Sequence, residues 1–464
     1  MKPEASLPEP SFSPAPKASD LHPARGVLFA SFLSRENLAR ALTRVERNAG
    51  APGPDGMTTK ELRSWLHVHW PEIRAHLDAG TYQPSPVRRV KIPKPGGGVR
   101  LLGVPTVLDR LLQQALLQVL TPLFDPQFSE NSFGFRPGRS AHQAVRSARE
   151  AIGSGKMWVV DLDLEKFFDR VNHDALMARV ARRVADKQVL GLVRSYLTAG
   201  VMADGVRVRT PEGTPQGSPL SPLLANIMLD DLDRELNRRG HAFVRYADDL
   251  MIYVASERAG QRVMASTRRF IEKKLKLTVN EGKSAVAPAT RRPFLGFRFF
   301  TREQEIKVSV DPKARAAARL RLRRLTARSW RIAMSVRMVA LNRFIRGWTA
   351  YFALADTPSI FEELDEWLRR RLRQVRWKEW KRPRARARNL RALGIPFWQA
   401  YQWSNTRRGS WRVAGSPILQ RALPSSYWTS QGLTGFCVSY RRSRDTRRTA
   451  GCGPACPVVW EGPG

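Results

Sequence analysis

Phe243-Val244-Arg245-Tyr246-Ala247-Asp248-Asp249-Leu250-Met251-Ile252-Tyr253 sets two runs of β-branched and aromatic residues around a short polar break. Such runs favour strands, and so short a break predicts a tight hairpin with Asp248 and Asp249 at its tip. The expected strands cover residues 243–246 and 250–254. Asp is common in turns for local reasons, so an Asp-Asp pair alone decides little. Two adjacent carboxylates repel, however, and the flanking apolar strands weigh against a plain surface turn. A divalent cation answers the repulsion: Mg²⁺ takes one or two carboxylates and fills its shell with phosphate oxygens.

A second acidic stretch lies upstream, Trp158-Val159-Val160-Asp161-Leu162-Asp163-Leu164-Glu165-Lys166-Phe167-Phe168-Asp169. It predicts a short strand over 158–164. Asp161 and Asp163 would share one face, because side chains alternate along a strand, and strand geometry does not choose between them. One such carboxylate beside the Asp248-Asp249 tip would complete a two-metal site, in which one ion activates a 3′-hydroxyl and the other steadies a leaving pyrophosphate.

Around these stretches the chain mixes helices and strands without a regular β-α rhythm, which favours an α+β fold over a doubly wound sheet. Helices are expected over 35–49, 106–120 and 220–238. Strands are expected over Val87–Pro93 and Val99–Val104, with Pro95-Gly96-Gly97-Gly98 as the hairpin tip. Near Asp311 the composition shifts. Residues 311–450 hold 32 Lys and Arg against 8 Asp and Glu, and nine of the 13 tryptophans. Helical spacing over 314–331, 336–352 and 360–381 predicts a separate, mostly helical basic module. Its tryptophans are expected mainly in the helix-bundle core. Residues 367–391 carry twelve Lys or Arg with too few acids to balance them, so an external anion is expected there rather than a merely solvated face.

The whole chain has 464 residues and a net charge of +38, from 79 Lys and Arg against 41 Asp and Glu. That length suits about two to four domains. A small-molecule enzyme has no need of such a charge, whereas a nucleic-acid partner explains it. No stretch approaches the ~20 apolar residues of a membrane span, and the start, with six prolines in residues 1–26, does not resemble a signal peptide. Cys437, Cys452 and Cys456 make neither a disulfide framework nor a convincing zinc site. A reducing cytoplasm, where the nucleic acid lies, is the expected compartment.

Tyr246-Ala247-Asp248-Asp249 looks like the Y-x-D-D box of reverse transcriptases. From about Phe32 to Leu433 the chain is similar to the group II intron-encoded reverse transcriptase–maturase family. Lys91-Ile92-Pro93-Lys94-Pro95-Gly96-Gly97-Gly98-Val99-Arg100 resembles its fingers hairpin. Phe133-Gly134-Phe135-Arg136-Pro137-Gly138-Arg139-Ser140 resembles the next block. Gly213-Thr214-Pro215-Gln216-Gly217-Ser218-Pro219-Leu220-Ser221-Pro222 resembles the loop before a palm helix. Residues 275–283 and Phe294-Leu295-Gly296-Phe297 resemble the last two polymerase blocks, and Gly347-Trp348-Thr349-Ala350-Tyr351-Phe352 the maturase region.

The resemblance implies a right-hand polymerase with fingers and palm over 27–305. A helical thumb or maturase domain over 311–385 and a small basic C-terminal RNA/DNA-binding domain over 390–435 follow, with disordered tails at 1–26 and 440–464. It implies RNA-directed DNA polymerisation with two Mg²⁺ ions, for which Mn²⁺ could substitute. The implied partners are a group II intron RNA template, a DNA or RNA primer, dNTPs and a DNA target, with no membrane, and the implied second role is assistance to splicing and retrohoming. A free-standing relative in defence or repair, or an RNA-binding maturase without polymerase activity, are the alternatives. Many relatives end in an HNH endonuclease; one Cys pair and no His after His241 lead us to expect none here.

In the family the metal aspartate stands five residues before an aromatic that closes the sugar pocket. Phe168 is five after Asp163, so the implied catalytic set is Asp163, Asp248 and Asp249, with Leu162 beside them in the metal set. Asp161 is then a neighbouring hydrogen-bond or salt-bridge group, and Asp169 a turn or cap residue. Lys94, Arg100 and, more weakly, Arg88 would contact the triphosphate, Phe168 would exclude a 2′-hydroxyl, and Gln216 would lie against the nascent base pair. Lys381, Arg382, Arg384, Arg386 and Arg388 are the candidate RNA contacts.

Overall fold

The computed structural model describes residues 26–93, 99–203, 206–208, 212–214, 217–327, 329–330 and 332–449. The strands are β1 (Val87–Pro93), β2 (Val99–Val104), β3 (Trp158–Leu162), β4 (Val201–Ala203) and β5 (Val206–Val208), then β6 (Ala242–Tyr246), β7 (Asp249–Val254), β8 (Ala285–Pro288), β9 (Phe297–Arg302) and β10 (Glu305–Val310). The chain forms two compact units that interleave in sequence: residues 1–128, 165–232 and 271–278 make the first, and residues 129–164, 233–270 and 279–464 the second. The expected division between 305 and 311 therefore falls inside the second unit.

The first unit holds the sheet β2-β1-β4-β5, in which β1 runs antiparallel to β2 and parallel to β4. Its helices begin where short polar side chains can satisfy free amides. Ser34 caps Arg35–Asn48 and Thr106 caps Val107–Phe124. Apolar residues at helical spacing, such as Leu112, Ala115 and Leu116, are fully buried, as is Ala41 on Arg35–Asn48. The buried Asn37 amide donates to the carbonyls of Phe32 and Ala115 and so ties the two helices together.

The second unit is built on the antiparallel sheet β6-β7-β3-β8, with the hairpin β9–β10 beside it in sequence. Ala144, Val145 and Ala148 of helix Ala141–Gly153 share one hydrophobic core with Val159, Val244 and Tyr253 of that sheet. The same core continues through Phe297, Val308, Leu341, Trp348 and Phe361 to Trp428. This continuity is why the basic helical region is not a separate compact unit. Trp348, Trp377 and Trp428 are buried in it and Trp367, Trp380 and Trp403 pack against it partly buried, but Trp330, Trp398 and Trp411 are exposed, so the expected core role holds for only part of the set.

The C-terminal end departs from expectation. A tail was expected from residue 440, yet Phe436–Thr449 is a helix. Its first amides, of Phe436 and Cys437, donate to the carboxylate of Asp365. The Tyr440 hydroxyl donates to the carbonyl of Ala355, and its ring stacks on Phe361 at 4.1 Å. These anchors lie far away in sequence, so a local reading of an Arg-rich stretch does not register them. The expected tail at 1–25, the remainder beyond 449, Cys452 and Cys456 lie outside the described residues.

Candidate active site

The β6–β7 hairpin pairs Tyr246 with Asp249, so the turn is Ala247-Asp248 and Asp249 opens the second strand. The two-carboxylate turn expected from the sequence is thus split between loop and strand. Ala247 holds φ +58°, a left-handed conformation that a residue with a Cβ adopts only under constraint. Gly134 supplies part of that constraint: a Cβ there would lie 2.2 Å from the Ala247 nitrogen and 2.9 Å from the Tyr246 carbonyl carbon. The segment carrying Gly134 extends the sheet beside β6, with the Phe133 amide donating to the Arg245 carbonyl and the Arg245 amide to that of Asn131.

The other carboxylates come from β3. Asp161 pairs with Met251 of β7 and Ala285 of β8, and Leu162, buried, pairs with Leu250. Asp163 follows the end of the strand. Its amide donates to Ser284 Oγ at 3.0 Å, and its carbonyl accepts from the amide of Asn280 at 2.8 Å. Arg292 Nε donates to Asp161 Oδ2 at 2.7 Å, while Arg292 Nη2 reaches the carbonyl of Lys283. Asp161 is therefore ion-paired with Arg292, and both β3 carboxylates face a cation. Lys283 Nζ stands 3.3 Å from Asp163 Oδ2.

Charge at this end of the sheet is unbalanced. Asp249 keeps a solvent-exposed face. Even so, the surrounding protein, and then Asp248, Asp161 and Asp163, push its carboxyl up, with Lys283 opposing. Asp161 is also raised, chiefly by burial, against the pull of Arg292. A cation would relieve the mutual repulsion, and the donors are hard oxygens that suit Mg²⁺ or Mn²⁺. Among the described residues no three His, Cys, Asp or Glu side chains stand in a ready-made metal cage.

The expected nucleotide contacts belong to the first unit. Lys94 and Gln216 lie outside the described residues, and Arg100 is described only as backbone of β2. Arg88, on β1, donates through Nη2 to the carbonyl of Pro52 at 2.8 Å, so part of its guanidinium braces a neighbouring loop. Of the two phenylalanines, Phe167 is buried and Phe168 only half-buried, its ring 5.1 Å from that of Phe167. The Phe168 carbonyl accepts from the Thr214 amide, and Gly213, at φ +94°, lies so close that a Cβ would meet the carbonyls of Phe168 and Asp169 at under 3 Å. Asp169 sits in the short helix Phe167–Arg170, and it is Asn172 that caps the next helix.

In the basic region, Lys381, Arg382, Arg384 and Arg388 are exposed on or beside helix Pro383–Ala392. Arg386 is different. Its guanidinium lies 4.6 Å over the Trp377 ring, and Nε donates to the Trp380 carbonyl at 2.9 Å. It fastens the helix to the core, so its guanidinium is already engaged within the protein. The sequence reading also passed over an exposed aromatic group on helix Phe397–Ser404, with Phe397, Trp398 and Tyr401 exposed by 52%, 78% and 59%. Aromatic residues at helical spacing look like core until the buried side of the helix is known; here Ala400 and Ser404 take that side.

A family model for the reverse transcriptase (RNA-dependent DNA polymerase) matches residues 92–299, and one for the group II intron maturase-specific domain matches residues 315–394. Protein YkfC of Escherichia coli is 32% identical over 339 residues, covering 64% of this chain and 89% of that protein. The group II intron-encoded protein LtrA of Lactococcus lactis is 30% identical over 49% of each chain, so this chain matches about half the length of that relative. In a solved partial Cas6-RT-Cas1--Cas2 complex, 54% of this chain aligns with 43% of that one at 26% identity and a TM-score of 0.35. The chain belongs to the group II intron-encoded reverse transcriptase–maturase family. Within it, the chain is by class an RNA-directed DNA polymerase, a nucleotidyltransferase carrying a maturase-specific domain. No helix among the described residues is long and apolar enough to cross a membrane.

Proposed function

We propose that Asp163, Asp248 and Asp249, with the Leu162 carbonyl beside them, hold Mg²⁺ and that the protein extends a DNA or RNA primer along its group II intron RNA with dNTPs. The observation that supports this is the crowding of Asp249 by Asp248, Asp161 and Asp163 on one sheet end. Two bound ions would favour loss of the proton from the primer 3′-hydroxyl and steady the departing pyrophosphate. The hydroxyl oxygen bonds to the α-phosphorus as the α–β phosphoanhydride bond breaks. Arg292 holds Asp161 through two nitrogens, whereas Asp163 faces the exposed Lys283 at 3.3 Å, which supports Asp163 as the β3 ligand. In the first unit, Lys94, Arg100 and Arg88 would meet the triphosphate, and Gln216 the nascent pair. The test is extension of a primer annealed to RNA with and without Mg²⁺; a purified, folded protein with no metal-dependent extension would overturn the reading.

On the same reading Phe168 excludes the 2′-hydroxyl. Its side chain is half-buried, and its backbone is pinned by Thr214. Phe168→Ala is expected to lower the preference for dNTP over rNTP, measured as the ratio of kcat/KM values. An unchanged ratio with intact activity would return Phe168 to core packing.

The maturase role, including splicing assistance and retrohoming to a DNA target from a cytoplasmic RNA–protein particle, is assigned to the basic surface. Lys381, Arg382, Arg384 and Arg388, with the exposed aromatics after them, suit phosphate contact and base stacking. Replacing Arg384 and Arg388 with Ala should reduce the slope of log affinity for intron RNA against log salt by about 1 to 2, since each lost phosphate contact removes roughly 0.7 to 0.9. Arg386→Ala should instead lower the melting temperature, because it loses the Trp377 stack. An unchanged slope in the double variant would remove this surface from RNA binding.

A further inference from the structure

Arg245 lies in the middle of the apolar strand β6 and is 1% exposed, while Asp233, on helix Ser221–Arg238, is 0% exposed. The guanidinium grips that carboxylate with two nitrogens, Nε to Oδ1 at 2.8 Å and Nη2 to Oδ2 at 2.6 Å. Nη2 also donates to Ser132 Oγ at 2.7 Å. The remaining nitrogen, Nη1, donates to the carbonyl oxygen of Ala247 at 2.9 Å. Taking both charges out of water is costly, and apolar pairs of similar volume often replace a buried ion pair with no loss of stability. Fold stability therefore gives no specific reason for the pair. What an apolar pair cannot supply is a donor aimed at the Ala247 carbonyl.

That carbonyl belongs to the peptide joining Ala247 to Asp248, next to the strained φ of +58°. Rotation of this peptide would change ψ of Ala247 and φ of Asp248, and so re-aim the Asp248 side chain. We infer that Arg245, held in place by Asp233, is a positioning residue that locks the Ala247–Asp248 peptide and so aims the two turn carboxylates. The planar fork of Arg can bridge a carboxylate and a carbonyl at once, whereas the compact ammonium of Lys cannot replace that geometry. The inference rests on the reading of Asp248 and Asp249 as metal ligands.

The test uses two variants of the full chain. Arg245→Lys keeps the charge, and the double variant Arg245→Met/Asp233→Leu removes the pair without leaving a buried charge unpaired. Melting temperature, primer–template affinity, kcat and the Mg²⁺ concentration for half-maximal extension are measured for each. The double variant should melt near the wild-type temperature. Both variants should bind primer–template as wild type does, lose roughly a hundredfold in kcat, the scale of a misplacement near 1 Å, and need severalfold more Mg²⁺. A purely structural pair would instead show kcat following stability, so a double variant with wild-type kcat and Mg²⁺ response overturns the inference. So does failure of both variants to fold, which would make the pair a folding element. If wild-type extension survives Asp248→Ala, it is the metal reading that fails. If Asp248→Ala abolishes extension while both Arg245 variants extend normally, only the positioning role fails.

Discussion

Asp248→Ala is expected to lower Mg²⁺-dependent primer extension roughly a thousandfold or more, because the turn carboxylate would contact the ion that steadies charge developing at the transferred phosphate. Single-nucleotide incorporation on an RNA template measures it directly. Retention of more than about a tenth of the wild-type rate, a margin that allows for rescue by solvent-held metal, would contradict the assignment. Asp163→Ala should fall in the same range. Asp161→Ala should cost far less activity, since its carboxylate is already engaged by Arg292. It should instead lower stability by about 1–3 kcal/mol, because a half-buried guanidinium loses its partner. The reverse ranking of Asp161 and Asp163 would show that the β3 register at the metal is shifted by two residues. RNA binding and any splicing assistance should survive in the Asp248→Ala protein, whose change touches only the carboxylate end of the sheet.

Gly134→Ala is expected to have the next largest effect, although the residue carries no functional group. The added methyl would lie 2.2 Å from the Ala247 nitrogen and 3.1 Å from its Cα. Both obstacles are backbone, so no side-chain rotation relieves the clash. Either the segment at 133–135 or the turn must move. The segment is held by the Phe133 amide on Arg245 and by Arg136, buried, donating to the carbonyls of Ser129 and Ser132. The turn is held from its other side by Arg245 on the Ala247 carbonyl, so the methyl strains both, and moving the turn by about 1 Å would cost roughly a hundredfold in kcat. Overpacking itself should destabilise the fold by about 1–3 kcal/mol. Far-UV circular dichroism and thermal melting separate the two effects: a folded variant with greatly reduced kcat supports the contact, and wild-type kcat would show that the turn tolerates displacement.

Much of this molecule could be read from local sequence. The strands Val87–Pro93 and Val99–Val104 follow from β-branched runs closed by Pro and Gly, and the helices around 35–48, 107–124 and 221–238 follow from apolar spacing and from caps such as Ser34 and Thr106. Adjacent carboxylates between apolar strands were enough to locate the acidic turn, because a charge in such surroundings stands out one residue at a time. Tertiary structure decided what depends on partners far along the chain. Asp161 and Asp163 were alike in strand geometry until Arg292, more than a hundred residues later, gripped the first and Lys283 approached the second. Arg245 is the one basic residue in an apolar run, and only the approach of Asp233 and the Ala247 carbonyl shows it to be buried and bridging. Arg386 and Arg388 share one composition, yet the first packs on Trp377 and the second faces solvent. Residues 440–449 carry the charge of a tail and fold as a helix because Asp365, Ala355 and Phe361 receive them. Periodicity and turn chemistry are properties of neighbours in sequence, whereas burial and ion pairing of a charged side chain are set by whatever the folded chain brings against it.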